Sequence, residues 1–192
     1  MPGIYYLSPD MNMMQILAIL NQGKISEKKI TIPEGWRREQ IAQKLADELI
    51  VEKKEFLQAT EDLEGYLFPD TYYFSLEKSV DKVVKKLTDN FRDKTTGLDV
   101  SRERLILASI IEREAKHDED RAKIAGVYQN RLNEGMKLEA DPTIQYIKGD
   151  WEIINASDLQ LASPYNTYIY EGLPPTPICN PCLLYTSDAA DE

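Results

Sequence analysis

Apolar positions along the chain recur at two spacings, and the switches between them mark the elements. Met11 to Leu20, "MNMMQILAIL", sets Met13, Ile16, Leu17 and Leu20 on one helical side, and Gly23 closes the run. Trp36 to Ile50, "WRREQIAQKLADELI", repeats the pattern with Trp36, Ile41, Leu45 and Leu49. A short β-rich run precedes each helix: Ile4-Tyr5-Tyr6-Leu7, then Ile30-Thr31-Ile32 closed by Pro33-Glu34-Gly35. Residues 1–60 therefore read as a small β/α unit with local contacts. Long helical patterns follow, which makes the fold class α+β.

Glu64 to Phe74, "EGYLFPDTYYF", breaks the style. Five of its residues are aromatic, and Gly65 and Pro69 punctuate it. It reads either as a loop that plugs its rings into a core or as a platform for a flat ligand such as a sugar. Ser75 to Lys94 reads as a helix with a solvated charged face. Gly97 breaks it, and Ser101 is placed to cap the next helix, which runs to about His117. Asp118 to Gly135 forms another helix that ends at glycine. Asp141-Pro142-Thr143 opens a short one with proline at its favoured first position. Beyond Trp151 the chain turns loop-rich, and "SPYNTYIYEGLPPTPICNP" from Ser163 to Pro181 carries five prolines.

Composition narrows the partners. With 42% hydrophobic residues in 192, a packed core is within reach and global disorder is excluded. The net charge of -10, with no basic cluster that outweighs its acidic neighbours, argues against nucleic acid. No apolar stretch approaches the roughly 20 residues that span a bilayer. Cys179 and Cys182 have C-x-x-C spacing, but the context fits neither a redox helix nor a zinc site, and His117 is far upstream. No metal motif and no cofactor motif is present. Residues 182–192, "CLLYTSDAADE", show no periodic relation to what precedes them. They resemble translated sequencing-adapter sequence, so they are expected to be a non-native tail without packed contacts.

The stretch "ILASIIEREAKHDEDRAKIAGVYQNRL", Ile106 to Leu132, holds the candidate chemistry. Advancing about 100° per residue, Ile106, Leu107, Ile110, Ile111 and Ala115 form one apolar arc, and Glu114 projects into it. Glu112 projects to the opposite side, with Ser109 and Lys116, and is expected in water. A carboxyl that faces apolar surroundings loses hydration in its charged form, so its pKa rises and it can serve as a general acid near neutral pH. The competing readings are a buried Glu paired with Arg or Lys, or a helix that simply ends so that Glu114 reaches water. Asn130, Asp141, Thr143, Asn166 and Thr167 are short polar residues near turns or helix ends, and Tyr165 and Tyr168 interleave with them. Hydroxyl-fixing groups and stacking rings are what an oligosaccharide groove requires, and the rings of the 64–74 segment, Tyr66 with Asp70 beside it, could form its other wall.

Five pieces together, "TIPEGW", "EGYLFPDTYYF", "LASIIEREA", "VYQNRLNEGMKLEADPTIQY" and "SPYNTYIYEGLPPTPICNP", resemble the endolytic murein transglycosylases of the YceG-like (MltG) type. They follow the family's order over most of residues 30–181. The resemblance implies a LysM-like βα module remnant over 1–60 and a mainly helical catalytic domain over 61–181 with a loop-rich, short-strand C-terminal part. It also implies that the family's membrane anchor and the rest of that domain lie outside this chain. The implied substrate is the peptidoglycan glycan strand, cut at the β-1,4 bond between N-acetylmuramic acid and N-acetylglucosamine, on the extracytoplasmic face of the cell membrane. Partners in the peptidoglycan synthesis machinery are implied too. The family's catalytic glutamate is the second of the E-x-E segment, which is Glu114 here.

That chemistry needs one carboxyl group. By the resemblance, Glu114 would protonate the leaving oxygen, and its carboxylate would then take the proton from the muramic acid C6 hydroxyl as that oxygen attacks C1, leaving a 1,6-anhydro end. A hydrolase would instead use a second carboxylate, with Asp141 the best placed, and leave a reducing end. A non-catalytic wall-binding or scaffold module is the reading from another class.

Overall fold

A computed structural model describes residues 5, 7–22 and 27–182. The β-rich run at residues 4–7 falls largely outside them; Tyr5 and Leu7, which are described, are not in a strand. Helix α1 (Met13–Gln22) forms, but Met13, Leu17 and Leu20 stay exposed on it.

Strand β1 (Glu27–Thr31) pairs antiparallel with β2 (Thr71–Ser75), Ile30 opposite Tyr72 and Thr31 opposite Thr71. The two threonine hydroxyls bond each other at 2.8 Å. Alternation aims Ile30, Tyr72 and Phe74 at one face, where they are buried. The 64–74 segment is thus partly a strand, and several of its rings are core: Phe68, Tyr72 and Phe74 are at most 4% exposed. The pairing also joins residues on the two sides of position 60.

Helices α2 (Arg38–Asp47), α3 (Lys53–Ala59) and α4 (Val80–Lys94) cover that sheet face. Ile41, Leu45, Ile50, Phe56, Val83 and Leu87 join the strand residues in a single apolar cluster. Helix α2 starts two residues later than its pattern suggests, because Trp36 lies outside it and forms a β-bridge with Asn180. It also stops early: Leu49 takes positive φ and is exposed, and Ile50 fills the buried position instead.

A second cluster gathers Ile106, Ile110, Ile111, Tyr128, Leu138, Ala140 and Ile178. It is built by α5 (Arg102–Glu114), α6 (Asp118–Asn133), α7 (Asp141–Lys148) and the loop segment that follows. The architecture is α-rich, with one small two-stranded sheet among the described residues.

The 178–182 segment ties the two clusters together. The amides of Gly65 and Leu67 both donate to Asn180 Oδ1 at 2.9 Å, and Ser109 Oγ accepts from the Ile178 amide at 3.0 Å. Cys182 belongs to this seam: it is 7% exposed, and its amide donates to Glu112 Oε2 at 3.2 Å. The expectation of an unpacked tail therefore fails at its first residue, and residues 183–192 lie outside the described ones.

Candidate active site

Helix α5 is capped by Ser101, whose Oγ accepts from the Arg104 amide at 3.2 Å. Its middle is buried nearly all round: Leu105, Ile106, Ala108, Ser109, Ile110 and Ile111 are each at most 5% exposed. A helix wrapped this way has no wet face for Glu112. The Glu112 side chain is 7% exposed and is gripped by Arg121 of α6, and burial pushes its carboxyl up to about 7 against the pull of Arg121. The expected solvated glutamate is thus the buried, ion-paired one. The projection failed because it assumed that the side opposite the apolar arc meets water, whereas α6 and Cys182 cover it.

Glu114 is the last residue of α5. Ala115 turns to an extended conformation while its amide still bonds the Ile111 carbonyl at 2.9 Å. The helix therefore ends where the carboxylate can reach solvent, and Glu114 is exposed rather than set among the apolar residues of the arc it projects into. Enough protein crowds its carboxyl that desolvation, then the charge of Asp141, raise its pKa, while a hydrogen bond with Tyr128 opposes the rise.

Three elements bring those neighbours in. Tyr128 comes from α6, where it is 6% exposed and its hydroxyl is held protonated by burial and by Glu114. Asp141 opens α7. Arg131 fixes the link between α6 and α7 by donating to the Leu138 carbonyl at 2.8 Å and to Glu139 Oε2 at 3.0 Å. Tyr168 comes from the 163–181 loop and donates its hydroxyl to Asp141 Oδ1. An acid with a raised pKa thus sits beside a second carboxylate whose orientation a tyrosine fixes.

The comparisons with known proteins decide the kinship. The YceG-like family matches over residues 1–184. The chain belongs to the YceG-like family. It is 34% identical, over 93% of its length, to an endolytic murein transglycosylase of Bacillus subtilis, and 31% identical, over 94%, to one of Streptococcus pneumoniae. It spans 60% and 42% of those two relatives. A crystal structure of a YceG-like protein from Listeria monocytogenes superposes with a TM-score of 0.74 at 32% identity, covering 96% of this chain and 72% of that one.

In this YceG-like chain the remaining candidate residues separate into groups. Thr143, Asn166 and Thr167 are at most 2% exposed and spend their polar atoms internally. Thr167 Oγ1 accepts from the Ala140 amide at 3.0 Å and lies 2.9 Å from Thr143 Oγ1. Asn166 Nδ2 donates to the Leu159 and Leu161 carbonyls. These three can meet a ligand only through what they hold, namely the start of α7 and the turn that presents Tyr168. Asn130 is exposed on α6, and its side chain has no hydrogen bond among the described residues.

Tyr165 stacks on Tyr146 at 4.8 Å and bonds Thr176, so it belongs to the far end of α7. The described contacts of the 64–74 segment also run elsewhere. Tyr66 packs edge-on against Phe91 of α4, and Asp70 accepts from Asn90 and from the Thr71 amide. The sequence reading missed Tyr128. It sits at an apolar-looking helix position, and only the folded contact with Glu114 gives its hydroxyl a meaning.

Proposed function

We propose that this chain carries the catalytic part of an endolytic lytic transglycosylase that cleaves the β-1,4 MurNAc–GlcNAc bond within peptidoglycan strands. The observation that carries the reading is Glu114: solvent-reachable, raised in pKa beside Asp141, and placed at the second position of the E-x-E segment. The names of the relatives, which match this chain over most of its length, support the same substrate and reaction.

In this mechanism Glu114 enters protonated and donates to the glycosidic oxygen. Positive charge then develops at C1, which the neighbouring Asp141 carboxylate stabilises. Glu114, now ionised, accepts the C6 hydroxyl proton as that oxygen closes onto C1. Tyr128 holds the Glu114 carboxyl in place, and Tyr168 does the same for Asp141. The steps use side chains of this chain alone.

A second reading has an observation in its favour. Asp141 is close enough to Glu114 to perturb it, and two carboxylates around a scissile bond are also the apparatus of a hydrolase. Mass spectrometry of products from intact glycan strands separates the two. Ends lighter by one water support transglycosylation; reducing ends would transfer the assignment to a muramidase. No cleavage at all would leave a wall-binding or scaffold module.

Residues 1–60 are read as a LysM-like remnant and 61–181 as the catalytic domain, with β1–β2 pairing bridging the two and Cys182 packed against the latter. Action at the extracytoplasmic face of the cell membrane, beside the peptidoglycan synthesis machinery, belongs to the same proposal. None of the described helices is long and apolar enough to cross a membrane.

A further inference from the structure

Arg113 lies between the two glutamates in sequence and serves neither. Its guanidinium carbon sits 3.9 Å from the centre of the Trp151 ring. Its Cδ and Nη1 crowd Gly35, where an added Cβ would meet both at 3.2 Å. Among the described residues it forms no ion pair, and its buried Nε has no hydrogen-bond partner. Of the two carboxylates adjacent in sequence, Glu112 is already held by Arg121.

The neighbouring arginine is different. Arg37 also stacks on a ring, that of Tyr146 at 4.3 Å, but it pairs with Glu39 and donates to the Tyr146 carbonyl. Arg113 is therefore the cation of the two without a carboxylate in direct contact among the described residues, although the Glu112 charge acts on it. The platform under it is built rather than incidental: the Trp151 indole nitrogen points to Gln40 Oε1 at 3.5 Å, and that oxygen also accepts from the Arg37 amide. Arg113 and Trp151 are both partly exposed, so a ligand can reach them.

A guanidinium over a ring keeps N–H groups at its rim, and with Nε buried it is the Nη1–Nη2 edge that can meet a carboxylate in bidentate geometry. We propose that Arg113 on Trp151 is a carboxylate-binding subsite for the stem peptides of the glycan. The source of the carboxylate rests on the function proposed above. Peptide stems are the carboxylate-bearing branches of that polymer, because the lactyl carboxyl of each muramic acid that bears a stem is tied up as the amide to it. Helix α7 has Asp141 at one end and leads to Trp151 at the other, and its eight residues span about 12 Å. The subsite thus recognises a branch displaced along the strand from the bond that Glu114 cuts.

The test titrates three probes into the protein: peptide-bearing glycan strands, the same strands with their stem carboxylates amidated, and free stem peptide with its carboxylates intact or amidated. Turnover is stopped by Glu114→Gln. Strands with free stem carboxylates should bind about tenfold tighter than amidated ones, and Arg113→Gln should erase that difference. In the otherwise unaltered protein, free peptide should shift the Trp151 fluorescence and amidated peptide should not, with Trp151→Phe as the control. That arm stands even where Arg113→Gln unfolds. Equal binding of both strand types, a preference that survives Arg113→Gln, or a fluorescence response to amidated peptide would each overturn the subsite. Peptide binding without any glycan cleavage by the active protein would keep the subsite and remove the transglycosylase reading instead.

Discussion

Arg121 holds Glu112 by two parallel bonds, Nη1 to Oε2 at 3.0 Å and Nη2 to Oε1 at 3.1 Å. Arg121 also reaches Asp118 and Glu34, so one arginine gathers the start of α6, the end of α5 and the turn before α2. The glutamate nearest the proposed acid is therefore a fastening. Glu112→Ala should destabilise by about 3 kcal/mol, because it leaves a largely buried guanidinium short of a partner and the Cys182 amide without its acceptor. Denaturant unfolding measures this. A loss below about 1 kcal/mol, the scale of an exposed pair, would show that the grip contributes little.

Glu114→Gln should do the reverse. The side chain is exposed and ends its helix, so stability should change by less than about 0.5 kcal/mol. Glycan cleavage should fall by at least about 10²-fold, the lower range for a positioned proton donor. Paired unfolding and cleavage assays on the two variants separate fastening from acid. An active Glu114→Gln would end the assignment.

The pH profile follows from the same neighbours. Glu114 must start protonated, so cleavage declines as pH rises through its raised pKa. Asp141 helps to raise that pKa, and Tyr128 lowers it. Asp141→Asn should move the alkaline limb to lower pH and Tyr128→Phe should move it to higher pH, whatever either does to the maximal rate. Limbs that shift together would mean that the profile reports another group.

How much of this could be read along the chain depends on whether a position's role is local. The cap at Ser101, the helix opened by Asp141-Pro142 and the stop near Gly135 rest on contacts within a few residues, and they appear as expected. Glu114 was picked out by its motif, but its projection into the apolar arc did not bury it, because the helix ends there and the side chain is exposed. Glu112 was not legible, since its burial comes from Arg121, nine residues on, and from Cys182, seventy residues on. The 64–74 rings looked like a ligand platform because aromatic density is the same in a core strand. Only the register with β1 shows which rings point inward. Arg113 could not be separated from its charged neighbours until Trp151 was found beneath it.

Glu64 gives stability a pH dependence. Burial is the main cause that raises its carboxyl to about 7, against the ordinary 4.5. Between those values the folded protein binds more protons than the unfolded chain, so stability falls as pH rises through this window. The full effect is at most about 3 kcal/mol, since a tenfold change in proton affinity between the folded and unfolded states is worth about 1.4 kcal/mol. Glu64→Gln, neutral throughout, should flatten the slope between about pH 5 and 8. Unfolding midpoints at several pH values test this, and an unchanged slope in the variant would assign the effect to other groups such as Glu112.

Asn180 is where the two apolar clusters meet, and its replacement should be the most damaging single change outside them. It is fully buried. Its Oδ1 accepts from the Gly65 and Leu67 amides, and its Nδ2 donates to the Trp36 carbonyl at 2.9 Å and to Glu64 Oε1 at 2.8 Å. Its own amide donates to the Trp36 carbonyl and its carbonyl accepts from the Gly35 amide, both at 2.9 Å. Asn180→Ala keeps the two backbone bonds, strands the Gly65 and Leu67 amides out of reach of water and leaves the Glu64 carboxyl with the Arg38 amide. Each stranded group costs about 1–3 kcal/mol, so a loss of about 4 kcal/mol is expected, a large share of the roughly 5–15 kcal/mol that typically holds a domain. Asn180→Asp preserves shape and both amide acceptors but replaces the donor facing Glu64 with a second carboxyl. Mutual repulsion should then steepen the loss of stability with rising pH, making this variant nearly as stable as the parent near about pH 5 and markedly weaker near about pH 8. Chemical unfolding across that range checks both. If Asn180→Asp showed no added pH dependence, Asn180 and Glu64 would not form a close buried pair.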